Sequence, residues 1–346
     1  MGASKSGKEG SCILPMFTIL KFGNANLHNI GTMAHLALKR YSYWGQLGLL
    51  LVFVGAGFIL AGIISAIPLF TQLDLSLKEL SGKQVLDKLL VPENASLLRW
   101  IQFFSTLALF FIPVYVYAWV CHKKPWAHMG FTQKPTTQQL LVAAVIMVAC
   151  LPIVSGLASF TEALPWPKAV IDSFNAAELE YEKQVKVLAR MNNVADLIAS
   201  LFIVALLPAL FEEALFRGGV QNLLSRWIKL PIVAIIITSI VFSAVHGSYL
   251  GFLSRFFLGF VLGFMYYRTG NIWLNVAAHF INNAIAIITL YVYTRNGQQP
   301  SMKDMEGEMP WWLMLVSAVV VFLLFKFFNR VSQHQVINPG QEELLP

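Results

Sequence analysis

Three short stretches put ionisable side chains among apolar ones: 209-ALFEEALFRGGVQ-221, 242-FSAVHG-247 and 278-AHFINN-283. Charge is costly in apolar surroundings unless it is paired or put to use. On a helix Glu213 and Arg217 lie four residues apart, acid before base, so Arg217 can neutralise Glu213 from the same face. Glu212 points about 100° away and has no such local partner. An unpaired carboxylate in a partly dry site suits a general base.

His246, read alone, is better explained as a packed, hydrogen-bonded histidine than as a catalytic one. Its spacing changes that. Glu212 lies 18 residues before Leu230, and His246 lies 16 residues after it. With a turn at Lys229-Leu230-Pro231 and a helix on either side, both reach a depth of about 25 Å and can meet across an antiparallel hairpin. His279 and Asn283 are spaced i,i+4 and can face the same way, while Asn282 points elsewhere. One carboxylate, two imidazoles and an amide can activate water and stabilise an oxyanion. Glu212, His246 and His279 could equally hold a divalent metal such as zinc, although no HExxH motif is present.

The elements that must position these groups read as membrane helices. Of the 346 residues, 57% are hydrophobic and 12% charged, and mean hydropathy is +0.63. The apolar residues fall in blocks long enough to span a bilayer. Spans are expected near 44–70, 98–121, 139–161, 195–217, 231–249, 250–267, 271–293 and 311–328. The expected fold is therefore an all-α polytopic membrane protein of about eight transmembrane helices, with the chemistry in the later spans. An N-terminal tail (1–43), a single helical domain (44–328) and a C-terminal tail (329–346) complete the layout. The loop 162–194 is expected to carry an amphipathic helix around 176–191.

The net charge of +7 is not gathered into a basic tract, which argues against nucleic acid as a partner. With the N-terminus inside, inside segments hold Lys5, Lys8, Lys21, Lys39, Arg40, Lys123, Lys124, Lys134, Arg226, Lys229, Arg268, Lys326 and Arg330. Only Glu9, Glu342 and Glu343 oppose them, so the positive-inside rule predicts both termini in the cytoplasm. Cys12, Cys121 and Cys150 are too scattered for a disulfide framework or a zinc cluster. The first residues carry no signal-peptide cleavage pattern, and a bacterial inner membrane is the expected location.

The three motifs together resemble a known family. EEALFR fits EExxxR, FSAVH fits FxxxH and HFINN fits HxxxN, in the order seen in the CPBP group of CAAX proteases and bacteriocin-processing enzymes, also called Abi proteins. The stretch 263-GFMYYRTGNIWLNVAAHFINN-283 resembles the family's approach to the third motif, and the likeness is expected to extend over about 139–293. It implies an intramembrane endopeptidase in which Glu212 and His246 activate water and His279 and Asn283 stabilise the oxyanion, with Glu213 and Arg217 in support. The implied substrate is a membrane-associated or lipidated peptide or protein, and the implied mechanism is of the glutamate type without a metal, a metalloprotease route being the alternative. Two other readings fit buried acids and histidines: an ion- or proton-coupled transporter, and a non-catalytic scaffold or bacteriocin self-immunity protein. The transporter reading expects polar groups through the full membrane thickness, whereas here they gather on a few helices.

Overall fold

The computed structural model describes residues 41–72, 88–188, 190–191, 193–298 and 309–332. Most of the expected N-terminal tail, residues 333–346 of the C-terminal tail, and parts of three loops lie outside these. Among the described residues every regular element is a helix. In chain order they are α1 (Tyr43–Thr71), α2 (Pro92–Cys121), α3 (Pro125–His128), α4 (Thr137–Ala163), α5 (Lys168–Leu188), α6 (Val194–Ile228), α7 (Pro231–Ala244), α8 (Phe252–Thr269), α9 (Ile272–Arg295) and α10 (Trp311–Val331).

Six of these, α1, α2, α4, α6, α9 and α10, are long and apolar enough to cross a membrane. The fifth and sixth expected spans correspond to α7 and α8, which have 14 and 18 residues. At 1.5 Å per residue they reach only about 21 and 27 Å, short of a hydrocarbon core of roughly 30 Å. The sequence reading extended the fifth span to 249, but the helix stops at Ala244 and a turn follows, with Gly247 at φ 67°. The fourth runs on past 217 to Ile228 as one helix. The expected helix at 176–191 begins earlier, at Lys168, and ends at Leu188.

Two helices widen into π turns at Leu107–Phe111 and Leu201–Leu206. In each case a proline follows two residues later, Pro113 in α2 and Pro208 in α6. Proline donates no hydrogen bond and crowds the carbonyl four residues back, so a widened turn just before it relieves the clash. A third π stretch, Ala214–Gln221, follows the glutamate pair directly.

Local chemistry sets the turns. Lys229 takes the left-handed conformation (φ 58°) at the end of α6, and Pro231 opens α7. Gly270 ends α8 in the same conformation, and Asn271 caps α9 by accepting from the backbone of Trp273 and Leu274. Each connection is two residues long or less, so α6 with α7 and α8 with α9 are forced into hairpins.

Apolar packing flanks the hairpins on two sides. Ile146, Met147 and Cys150 of α4 pack with Leu262 and Met265 of α8, Leu274 and Ala278 of α9, and Phe328 of α10. On the other side Leu50 of α1 and Val114 of α2 pack with Phe216 and Leu223 of α6 and Phe242 of α7.

Candidate active site

Close approach of α8 to its neighbours comes first, because it brings backbone oxygen within reach of α6. Gly259 and Gly263 form a G-x-x-x-G face on α8. A methyl group on Gly259 would lie 3.2 Å from Phe242 and from Ser239 of α7, and one on Gly263 only 2.9 Å from Ile235 and from the Gln221 amide oxygen. With no side chains there, Arg217 Nη2 reaches the carbonyl of Gly259 (3.3 Å) and Gln221 Nε2 that of Gly263 (2.8 Å).

Glu213 and Arg217 are both fully buried. Arg217 Nε sits 3.1 Å from Glu213 Oε2, as an ion pair and not as an aligned hydrogen bond. The Phe242 ring lies 5.1 Å below the guanidinium. Glu213 has two further partners, both from α9: Asn275 Nδ2 donates to Oε2 at 3.1 Å, and His279 Nδ1 lies 2.9 Å from Oε1. Burying an ion pair is costly unless its remaining hydrogen-bonding capacity is filled. Here α9 fills it on the Glu213 side, while Arg217 Nη1 has no hydrogen-bond partner, and in return His279 is fixed in orientation.

His246 sits in the turn just past α7. Its Nδ1 lies 2.7 Å from the Phe242 carbonyl, one of the oxygens left without a helical partner at a helix end. A carbonyl can only accept, so Nδ1 carries the hydrogen and Nε2 presents a lone pair. The same logic applied to His279, whose Nδ1 faces the carboxylate of Glu213, aims its Nε2 into the site as well.

Both Nε2 atoms look toward Glu212. Glu212 Oε2 is 3.7 Å from His246 Nε2 and 3.9 Å from His279 Nε2, too far for direct hydrogen bonds, and it has no hydrogen-bond partner. Three acceptor atoms thus converge on a gap that a bridging donor such as water would fill. The side chains of Glu212 and His279 are 12% and 8% exposed and that of His246 is 23%, so the site opens on the His246 side.

The structure therefore brings Glu212, Glu213, Arg217, His246 and His279 together. Asn283, one turn beyond His279, sits slightly apart: its Nδ2 is 3.4 Å from the carbonyl of Ala205, within the first π turn of α6, and Asn282 contacts its Oδ1 at 3.4 Å. The sequence reading missed Asn275, which is fully buried and also donates to Leu262 O at 2.7 Å. Its signal was present: Asn275, His279 and Asn283 are spaced i, i+4, i+8 along one face of α9. As for a metal, the donor types of Glu212, His246 and His279 suit zinc, yet among the described residues no three His, Cys, Asp or Glu are placed to hold one.

The model of the family described as type II CAAX prenyl endopeptidase Rce1-like matches residues 194–285, from the start of α6 into α9. All six predicted site residues fall inside it. Residues 194–285 are thus similar to that family. The uncharacterized protein YpbD of Bacillus subtilis (strain 168) is 35% identical over 92 residues, covering 25% of this chain and 44% of that protein. The chain thus spans less than half the length of the curated relative it matches. No solved structure matches. The matched stretch lies within the expected 139–293; α4, outside the match, packs directly against α8 and α9.

Proposed function

We propose that this protein is an intramembrane endopeptidase that hydrolyses a peptide bond of a membrane-associated or lipidated substrate, without a metal. The observation that carries the reading is the unpartnered Glu212 Oε2 facing two imidazole Nε2 atoms at 3.7 and 3.9 Å. Water in that gap donates to Glu212 and His246, and its remaining lone pair is aimed at the substrate carbonyl. Glu212 takes the proton as the C–O bond forms and delivers it to the leaving amine as the C–N bond breaks.

His279 and Asn283 face the oxyanion of the tetrahedral intermediate. His279 Nδ1 is committed to Glu213. Its Nε2 presents a lone pair at rest, so donating to the oxyanion requires that His279 first take up a proton from solvent, with Glu213 as the counter-ion of the imidazolium. Asn283 has a second amide hydrogen beyond the one directed at Ala205 O. No serine or cysteine takes part in this scheme, so no acyl-enzyme forms.

We further place the chain in a bacterial inner membrane with both termini in the cytoplasm, on the strength of the charge asymmetry. The six long helices, with or without the α7–α8 pair, make an even number of crossings.

The test uses purified protein in liposomes with lipidated peptides, and products read by mass spectrometry. Wild type is expected to cleave, Glu212→Gln and His246→Ala to lose about a thousandfold or more, and chelator to leave the rate unchanged. Cleavage that persists in Glu212→Gln sinks the mechanism. Reversible loss on chelation would instead favour the metal route.

A further inference from the structure

Arg255 lies on the first turn of α8, at the end of the loop that carries His246. Three other arginines in the helical body have oxygen partners, whereas Arg268 at the far end of α8 also has a buried Nε without one. Arg99 donates to the carbonyls of Leu188 and Arg190, Arg217 pairs with Glu213, and Arg226 bonds Asn222 and Gln46. Arg255 has no such partner among the described residues, and its Nη1 is buried without a hydrogen bond. The Tyr181 ring of α5 lies 5.3 Å from the guanidinium carbon. That contact uses the flat face of the cation and leaves its N–H edge unfilled. Glu178, the acid of α5 next to this loop, accepts from Ser248 instead.

The site makes room for the unpartnered cation. The guanidinium folds back over the loop, and a methyl group on Gly251 would lie 2.1 Å from Nη1. Arg255 is also within electrostatic reach of His246, the most open of the three converging groups. A guanidinium with a buried Nη1 and no anion beside it is costly unless an anion arrives.

We propose that Arg255 binds a carboxylate of the substrate and so sets where the peptide is cut. The carboxylate belongs either to the substrate's free C-terminus or to an Asp or Glu side chain near the scissile bond. The proposal rests on the endopeptidase reading, but its contact can be measured without cleavage. A guanidinium presents a fork of N–H groups that matches a carboxylate and no neutral amide.

The experiment measures binding of N-palmitoylated fluorescent peptides to the Glu212→Gln protein in phosphatidylethanolamine/phosphatidylglycerol liposomes by anisotropy. The peptides come as the free acid, the C-terminal amide, and both forms with internal acids replaced by their amides. Acid forms are expected to bind about tenfold or more tightly than neutral forms, and the form whose neutralisation matters identifies the source. In Glu212→Gln/Arg255→Gln the difference should vanish, and Glu212→Gln/Arg255→Lys should regain part of it. Thermal unfolding of each variant checks that the fold is intact. Equal preference for acids with and without Arg255, or no preference in either, overturns the proposal even if wild type cleaves. With cleaving wild type, Arg255→Gln should raise KM about tenfold and change kcat less than about threefold.

Discussion

At the level of single residues, two adjacent carboxylates are separated by their partners. Glu213 has Arg217, Asn275 and His279, whereas Glu212 has no hydrogen-bond partner on Oε2. The two should therefore fail differently. Arg217→Met leaves Glu213 buried and uncompensated and is expected to cost about 3–5 kcal/mol of stability. Glu212→Gln keeps shape and is expected to leave thermal unfolding within about 1 kcal/mol of wild type while removing activity. Thermal unfolding in detergent together with peptide turnover distinguishes the two. A large stability loss in Glu212→Gln would mean that the assignments are reversed. Asn275→Leu should lower kcat more than it raises KM and should shift the pH profile, because Asn275 acts through Glu213 on His279. An unchanged pH profile with a merely lowered melting temperature would make Asn275 structural only.

Among the helices, α8 fixes the spacing of the site. Its two glycines admit Arg217 and Gln221 to backbone carbonyls and bring α7 close enough for Phe242 to lie under Arg217. At Gly263 the obstruction includes branched Ile235, which cannot swing aside as the end of a flexible chain can. Gly263→Ala is expected to cost about 1–3 kcal/mol by forcing α8 away from α6 and α7. The loss of activity should exceed the loss of folded protein, since α8 and α9 move as a hairpin and His279 moves with them. Activity per folded molecule, normalised by size-exclusion, checks this; a purely proportional loss would show that the spacing is not critical.

At the scale of the whole molecule, a second polar cluster away from the proposed site governs behaviour in acid. His122 and His128, in the segment joining α2 to α4, stack with ring centroids 3.4 Å apart. Burial and the nearby Arg226 push His122 down to about 3, and burial, His122 and Arg226 hold His128 well below the ordinary histidine value. A histidine whose folded pKa is lowered takes up protons preferentially when unfolded. Its contribution is thus complete above about pH 6.5 and is lost as pH falls from there toward 3. The melting temperature is expected to be lower at pH 5.5 than at pH 7.5, with a shallower fall in His122→Phe, which keeps a ring against His128. Equal slopes in the two proteins would remove the histidine pair from the explanation.

Much was legible along the chain because local rules and burial leave their mark there. The apolar blocks announced the long helices, Lys229-Leu230-Pro231 announced the α6–α7 hairpin, and i,i+4 spacing announced the Glu213–Arg217 pair. That Glu212 and His246 could lie at one depth followed from counting residues on either side of a turn. Other features depend on which helices touch. The sequence shows no preference of His279 for Glu213, and none of Asn275 for the same carboxylate, because these contacts cross between α6 and α9. Nor does it reveal that α7 stops short at Ala244, leaving His246 to cap it from a turn. Apolar composition alone cannot place a helix end inside an apolar run. Sequence therefore determined the helices and their candidate chemical groups. Tertiary packing decided which group is held by partners and which is left facing an open gap, because satisfaction of a buried charge depends on neighbours distant in the chain.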